Sequence, residues 1–302
     1  MKKVKNKSVQ RSEKIANIII YSVLTIICAL CLYVFLLIIG SSFQSQEDIM
    51  KNGYSIIPKD FTLEGYKMIL SNPKTIMDSY AVTILTTVIG TILGLWAVST
   101  FAYVISRKTY RYKKALSFYA FFTMLFSGGL VPTYILITQM LNLKDNIWAM
   151  ILPMVVSAWY IMLMKGFFQS MPEEILESAK LDGAGELYTF IKIVIPISKP
   201  AFATVGLFFV LQFWNDWWLS LLYIETESKF KLQYMLMRLL ENIEYLNSAE
   251  SIQMGLVNEN VEIPTLSARM AMCILAAGPI LVVFPFFQKY FIKGLTIGSV
   301  KG

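Results

Sequence analysis

None of the 302 residues is a histidine, and only 16% are Asp, Glu, Lys or Arg. The missing histidine removes the usual general base and the commonest metal ligand. Soluble chains carry roughly 25% charged residues, so the low charge, with a hydrophobic fraction of 56%, identifies an integral membrane protein. Cysteine is scarce as well. Cys28, Cys31 and Cys273 lie inside apolar runs with no metal-ligand spacing around them, and packing is their expected use. No clustered pair of carboxylates falls in the apolar runs. A membrane enzyme such as an acyl or glycosyl transferase is left with little to work with. The pattern G-x-x-x-x-G-K-[ST] does not occur either, so this chain has no P-loop with which to bind ATP.

What is present is six apolar stretches, each long enough to cross a bilayer at about 20 residues. They lie near Ile15–Ile39, Tyr80–Ser106, Ala115–Met140, Ile147–Phe168, Pro200–Ile224 and Ser267–Ile292. The start, "MKKVKNKSVQRSEK", resembles the basic region of a signal peptide. The apolar run after it is longer than a signal core and shows no small-x-small cleavage site, so an uncleaved first helix is expected. The expected fold is all-α and polytopic. A segment 1–14 precedes a transmembrane domain 15–292, and a tail 293–302 follows it.

Lysine and arginine set the expected orientation. With the N-terminus inside, segments 1–14, 107–114, 165–199 and 289–302 hold 18 of the 27 basic residues. The net charge of +7 then serves topology rather than nucleic-acid binding, and both termini are expected in the cytoplasm. Two long segments fall outside, 41–79 and 225–266. In the second, Leu232, Leu236, Leu239, Leu240 and Ile243 recur at helical spacing. This helix either covers the outer mouth of the bundle or docks an outside partner.

One inner segment, "SMPEEILESAKLDGAGELYTFIKIVIP", is unusually polar for this chain. Ser170 and Glu173 have capping-box spacing, and Pro172 suits a first helical turn. The spacing predicts a short helix to about Leu181, a turn at Asp182–Gly183, and a second helix ending at Pro196. Asp182 is a candidate cap for that second helix. Gly183 is expected to supply unusual backbone angles or a close approach that a Cβ would block. Leu187, Phe190, Ile191 and Val194 form the expected apolar stripe. From physics alone this is a helix-turn-helix across about 170–197 that lies on the inner membrane surface or docks something.

Glu177, Ser178, Ala179, Asp182, Gly183 and Ala184, followed by Phe190, Ile193 and Pro196, resemble the EAA loop of ATP-binding-cassette importer permeases. Ser178 stands where the family pattern has alanine, one small residue for another. "FSGGLVPTYILI", "PISKPAFATVGLF" and the terminal "KGLTIGSVKG" are similar to carbohydrate-importer permeases of the maltose-importer type, in the branch associated with complex oligosaccharides. The resemblance implies a permease subunit in the cell membrane that imports a carbohydrate, an oligosaccharide by that branch. It implies a second homologous permease chain, two ATPase subunits and an extracellular or periplasmic solute-binding protein as partners. ATP and Mg would be bound on the ATPase subunits and no cofactor by this chain. Glu177, Ser178, Ala179, Asp182, Gly183, Ala184 and Phe190 would couple to the ATPase. Gly298 and Lys301 would bring the tail against it.

Two features of the spans remain. "LQFWNDWWLSLLY" puts Asp216 beside Trp214, Asn215, Trp217 and Trp218. It is either an interfacial aromatic belt or part of the solute path, where indole faces cover sugar C–H faces and polar groups take hydroxyl hydrogen bonds. By helical spacing 214, 217 and 218 share a face. Asp216 would then need water or a donor from a neighbouring span. In the third span, Ser127, Gly128, Gly129 and Pro132 are expected to kink or break the helix, or to allow close packing. The rival reading is an ion-driven secondary transporter, with Asp216 as the intramembrane charge.

Overall fold

The computed structural model describes residues 7–246 and 265–298. It divides into two compact units, residues 1–71 with 240–275, and residues 72–239 with 276–302.

In the first unit, α1 (Lys7–Ser42) is a single uninterrupted helix. Nearly all of its apolar surface is exposed, as expected of a span whose solvent is lipid. Contrary to the packing expected of them, Cys28 and Cys31 on this helix and Cys273 are exposed. Beyond α1 the chain folds back on itself. The α2 helix (Gln46–Asn52) is capped by Ser45, whose hydroxyl accepts from the Asp48 amide. Gln44 is fully buried and its amide donates to Asp48 Oδ2 at 2.7 Å. Gly40 is required by close approach. A Cβ there would sit 2.1 Å from the Ile56 carbonyl oxygen. The short α3 (Glu64–Ile69) follows.

The second unit is organised around α4 (Pro73–Ser106). One of its faces carries small residues, and two aromatic rings fill the space they leave. A Cβ on Gly90 would meet the Phe213 ring at 2.4 Å, and one on Gly94 would meet the Phe209 ring at 2.6 Å. Further along, Val98, Ala102 and Ile105 pack with Ile161, Met164, Phe168 and Val205 in one buried cluster.

Three of the six expected spans are long helices: Lys14–Ser42, Pro73–Ser106 and Thr265–Phe286. The others are broken. The helix α5 (Lys113–Leu125) meets α6 (Leu130–Met140) at 111°, and α7 (Ile147–Val155) meets α8 (Ala158–Gln169) at 46°. The first break falls where the glycines predict it. Gly129 has φ +87° and opens α6, a conformation that disfavours any residue with a Cβ. The expected fifth span is also interrupted. Its first part, α11 (Lys199–Trp214), has 16 residues, about 24 Å at 1.5 Å per residue. That is shorter than a hydrocarbon core of roughly 30 Å.

The remaining elements are the hairpin helices α9 (Glu173–Leu181) and α10 (Glu186–Ile197), the short α12 (Trp218–Tyr223), and the long helices α13 (Leu232–Leu246) and α14 (Thr265–Gly298). The helix expected from the spacing of Leu232, Leu236 and Ile243 is α13, and those three residues are buried. Gly298 is the last residue of α14. Lys301 lies outside the described residues.

Candidate functional site

The hairpin between the fourth and fifth spans is built as two unlike arms. The first arm, α9, starts after Pro172 and places Glu173 and Glu174 in its first turn and Lys180 in its last. Both placements oppose the helix dipole favourably. The predicted capping box does not form. The Ser170 hydroxyl donates to the Phe167 carbonyl, finishing the preceding helix, and Glu173 pairs instead with Lys108. That pairing holds the Lys108 ammonium above its usual range.

The turn follows a helix-ending motif. The Ala184 amide donates to the Ala179 carbonyl at 2.9 Å and the Gly183 amide to the Lys180 carbonyl at 3.1 Å, with Gly183 at φ +77°. These bonds satisfy the last carbonyls of α9. Asp182 therefore ends the first helix rather than capping the second, which starts after Gly185. The expected clash at residue 183 is also corrected. A Cβ there would touch nothing within 4 Å, and the demand for glycine comes from backbone angle alone.

Of the residues read as coupling residues, Glu177, Ser178, Asp182 and Gly183 are exposed and Ala184 is half-buried. Ala179 and Phe190 are buried, so they hold the hairpin rather than present a surface. The Phe190 ring lies 5.0 Å from that of Tyr103 and 6.2 Å from that of Trp96. Sequence periodicity missed the tip. Leu181 is 89% exposed, Leu187 65% and Tyr188 59%. Leu187 was expected in the buried stripe. On α10, residues 190 and 194 form one row and residues 187 and 191 the next. Only the first row is buried, and spacing alone does not choose between them.

The second candidate region is the break after α11. Asp216 is the pivot. Its Oδ1 accepts from the Leu219 amide at 3.2 Å, which starts α12, and its Oδ2 accepts from Lys231 Nζ at 2.9 Å. The two side chains are 6% and 0% exposed. Lys231 also donates to the Phe213 carbonyl at 3.2 Å, satisfying an end of α11. The backbone around it is tied to Ser220 and Thr83. The donor for Asp216 is thus a lysine fifteen residues on in the chain, rather than water or a group on a neighbouring span.

Because the helix stops at Trp214 and restarts at Trp218, the expected wall of three tryptophans is not formed. Trp214 is buried and its indole donates to the Ala276 carbonyl at 2.9 Å. Trp217 and Trp218 are 37% and 44% exposed and meet edge to face at 5.4 Å. Asn215 is exposed beside them.

A clasp joins the α6–α7 connection to the segment after α12. Asp145 has φ +55°. Its carboxylate accepts from Lys229 Nζ at 2.7 Å, from the Thr226 hydroxyl, and from the amides of Glu225 and Thr226. The Lys229 hydrogen bond first, and the Thr226 hydroxyl next, hold this carboxyl well below the usual range. Lys144 pairs with Glu225 at 2.7 Å. No periodicity in the sequence signals these contacts between distant loops.

Known proteins share this chain's pattern throughout its length. The family model described as "Binding-protein-dependent transport system inner membrane component" matches residues 9–297. The chain is 36% identical over 289 residues to the polygalacturonan/rhamnogalacturonan transport system permease protein YtcP of Bacillus subtilis (strain 168), covering 96% of this chain and 99% of that protein. It is 31% identical to the maltodextrin transport system permease protein MdxG of the same organism, over 80% of this chain and 81% of that one. A crystal structure of a bacterial ABC transporter involved in the import of the acidic polysaccharide alginate contains a chain that superposes with a TM-score of 0.76 at 29% identity. The match covers 93% of this chain and 98% of that one.

Proposed function

The chain belongs to the binding-protein-dependent transport system inner membrane components, the permeases of ABC importers, and on that footing we propose that it carries an oligosaccharide into the cell. It works beside a second, homologous permease chain and with an external solute-binding protein. Two ATPase subunits bind ATP and Mg and supply the energy. This chain catalyses no covalent step. The relatives' printed substrates, polygalacturonan or rhamnogalacturonan and maltodextrin, are saccharide chains, and they support the carbohydrate class.

The observation that carries the reading is the hairpin. It projects exposed Glu177, Lys180 and Asp182 together with exposed Leu181, Leu187 and Tyr188. A mixed apolar and charged tip of this kind is suited to a protein groove rather than to water alone. Its two arms are pinned to the bundle, so force applied at the tip reaches the spans. We assign the hairpin, about 170–197, to the cytoplasmic face, with both termini on that side, following the basic loops at 1–14 and 107–114. The tail 293–302, with Gly298 and Lys301, reaches the ATPase subunits from the same side. Glu177, Ser178, Asp182, Gly183 and Ala184 touch the ATPase, and Ala179 and Phe190 brace them from within.

We place the solute path at the break after α11. Asn215, Trp217 and Trp218 offer an amide and two indoles to a sugar, and Trp214 and Asp216 support them from behind. The Asp216–Lys231 pair speaks against ion-driven transport, because a carboxylate matched to a buried lysine is not a free protonation site. Purification through a tag on this chain, with the partners identified by mass, tests the proposal. A chain bearing G-x-x-x-x-G-K-[ST] and a second permease are expected. Uptake that persists after ion gradients collapse, with ATP retained, supports the ABC reading. Uptake that stops under those conditions overturns it.

A further inference from the structure

The last turn of α4 and the two residues that follow it touch both arms of the hairpin. Tyr103 is buried, and its hydroxyl donates to Glu186 Oε2 at 2.6 Å. Arg107 donates to the other carboxylate oxygen of the same residue at 3.4 Å. Its guanidinium lies 5.6 Å from the centre of the Tyr103 ring. One carboxylate on the first turn of α10 is therefore gripped by Tyr103 on the last turn of α4 and by Arg107, the residue just past its end. The Tyr103 ring also lies 5.0 Å from that of Phe190 on α10 and 6.3 Å from that of Phe168 on α8. Lys108 takes Glu173 at the start of α9. Each arm of the hairpin is thus tied near its first turn to residues 103–108.

The two ties differ in weight. The Lys108–Glu173 pair is exposed, and such pairs contribute little. The phenol–carboxylate bond is short and charge-assisted. Its donor is buried among aromatic rings while the Glu186 side chain is 62% exposed, so what it contributes is a defined geometry. At its other contacts, α4 interlocks with α11 through Gly94 against Phe209 and Gly90 against Phe213. Phe213 is the residue whose carbonyl Lys231 holds at the break. The same helix that grips the hairpin therefore packs directly on the segment bordering the solute path.

We propose that Tyr103, Arg107 and Glu186 form a positioning clamp that makes α4 and the second hairpin arm move as one body. A displacement of the hairpin is then delivered to the α11 break through α4, and not only through the peptide chain at Ser198, where α10 and α11 meet at 83°. The bend at Ser198 is itself hydrogen-bonded, the Ser198 amide to the Val194 carbonyl at 2.9 Å and the Phe202 amide to the Ser198 carbonyl at 3.1 Å. The clamp adds a second connection, through α4, beside that one. This inference rests on the hairpin being the surface that an ATPase moves.

The test measures one distance inside this chain. Cys28, Cys31 and Cys273 are replaced by alanine, and spin labels are placed at the exposed positions Thr109→Cys and Lys192→Cys. The pair distance is read by pulsed electron resonance in the purified permease assembly, with and without its ATPase, and with ATP–vanadate. The clamp predicts a narrow distribution that is the same in every nucleotide state. Tyr103→Phe, which deletes only the hydroxyl, and Glu186→Ala should each broaden it and make it depend on nucleotide. The double variant should be no worse than Glu186→Ala alone. A distance that already shifts between nucleotide states without these substitutions overturns the proposal, as does one that stays narrow and fixed in both variants. The coupling role of the hairpin is read separately, in whether the ATPase co-purifies, and the clamp is measurable in the permease without it.

Discussion

Replacing Lys231 by methionine perturbs one buried charge and leaves its partner in place. The side chains of Lys231 and Asp216 are 0% and 6% exposed, so solvent does little to screen what remains. Removing one partner of a buried pair costs about 3–5 kcal/mol, because the other charge stays buried without compensation. The change also takes a donor from the Phe213 carbonyl, a loss of about 1 kcal/mol. A total near 4–6 kcal/mol is a large part of a stability of about 5–15 kcal/mol. Asp216→Asn in the same chain removes the stranded charge and keeps an acceptor for the Leu219 amide. The double variant should recover most of the loss. The assay is denaturation of the purified protein in detergent, for the parent, both single variants and the double. A coupling energy of several kcal/mol across the cycle is expected. Effects that add within about 0.5 kcal/mol, or a single Lys231→Met variant as stable as the parent, would refute the reasoning.

Gly183→Val should fold, since no atom obstructs a Cβ there, but the +77° backbone resists a β-branched residue by about 1–2 kcal/mol. The turn should distort and uptake should fall sharply; normal uptake would remove the turn from the mechanism. Leu187→Ser with Tyr188→Ser should leave the thermal unfolding of the permease unchanged while weakening its association with the ATPase, measured by co-purification. The depressed Asp145 carboxyl contributes stability that is present above its unfolded pKa of about 3.9 and is lost as pH falls through its lower folded value. Asp145→Asn should therefore flatten the decline in stability below about pH 4, measured by unfolding at a series of pH values. Cysteines at Asn215, Trp217 and Trp218 should react with a small polar thiol reagent and be shielded by transported sugar, whereas one at Trp214 should be slow. Reaction only with lipid-soluble reagents would make the stretch an interfacial belt.

Much of the architecture was legible because it follows from local rules. The apolar run lengths located the helices, and the glycines at 128 and 129 marked the break before α6. Asp182–Gly183 marked the turn at the end of α9. What was not legible depends on contacts between distant residues. Lys231 lies in a polar segment after the fifth span, and nothing near it in sequence announces that it folds back onto Asp216 and Phe213. The break at 215–217 is equally hidden, since "WNDWW" has neither glycine nor proline. Asp216 interrupts the helix by capping the next one. Leu187 and Ile191, expected in the buried stripe, are exposed for a related reason. Periodicity reports that an apolar face exists, but burial depends on which row meets α4. Glu186 carried no signal of its own, because its partners, Tyr103 and Arg107, are about eighty residues earlier.

The central claim is that the hairpin tip is the surface an ATPase grips. A photoactivatable cross-linker attached at Leu187→Cys, in a chain with the three native cysteines replaced, tests it most directly in intact membranes. The claim predicts one main product, formed from the cytoplasmic side and altered by ATP. Mass identification of that product should find a chain carrying G-x-x-x-x-G-K-[ST]. A tip that cross-links only to lipid, or that reagents reach only from outside the cell, would contradict it.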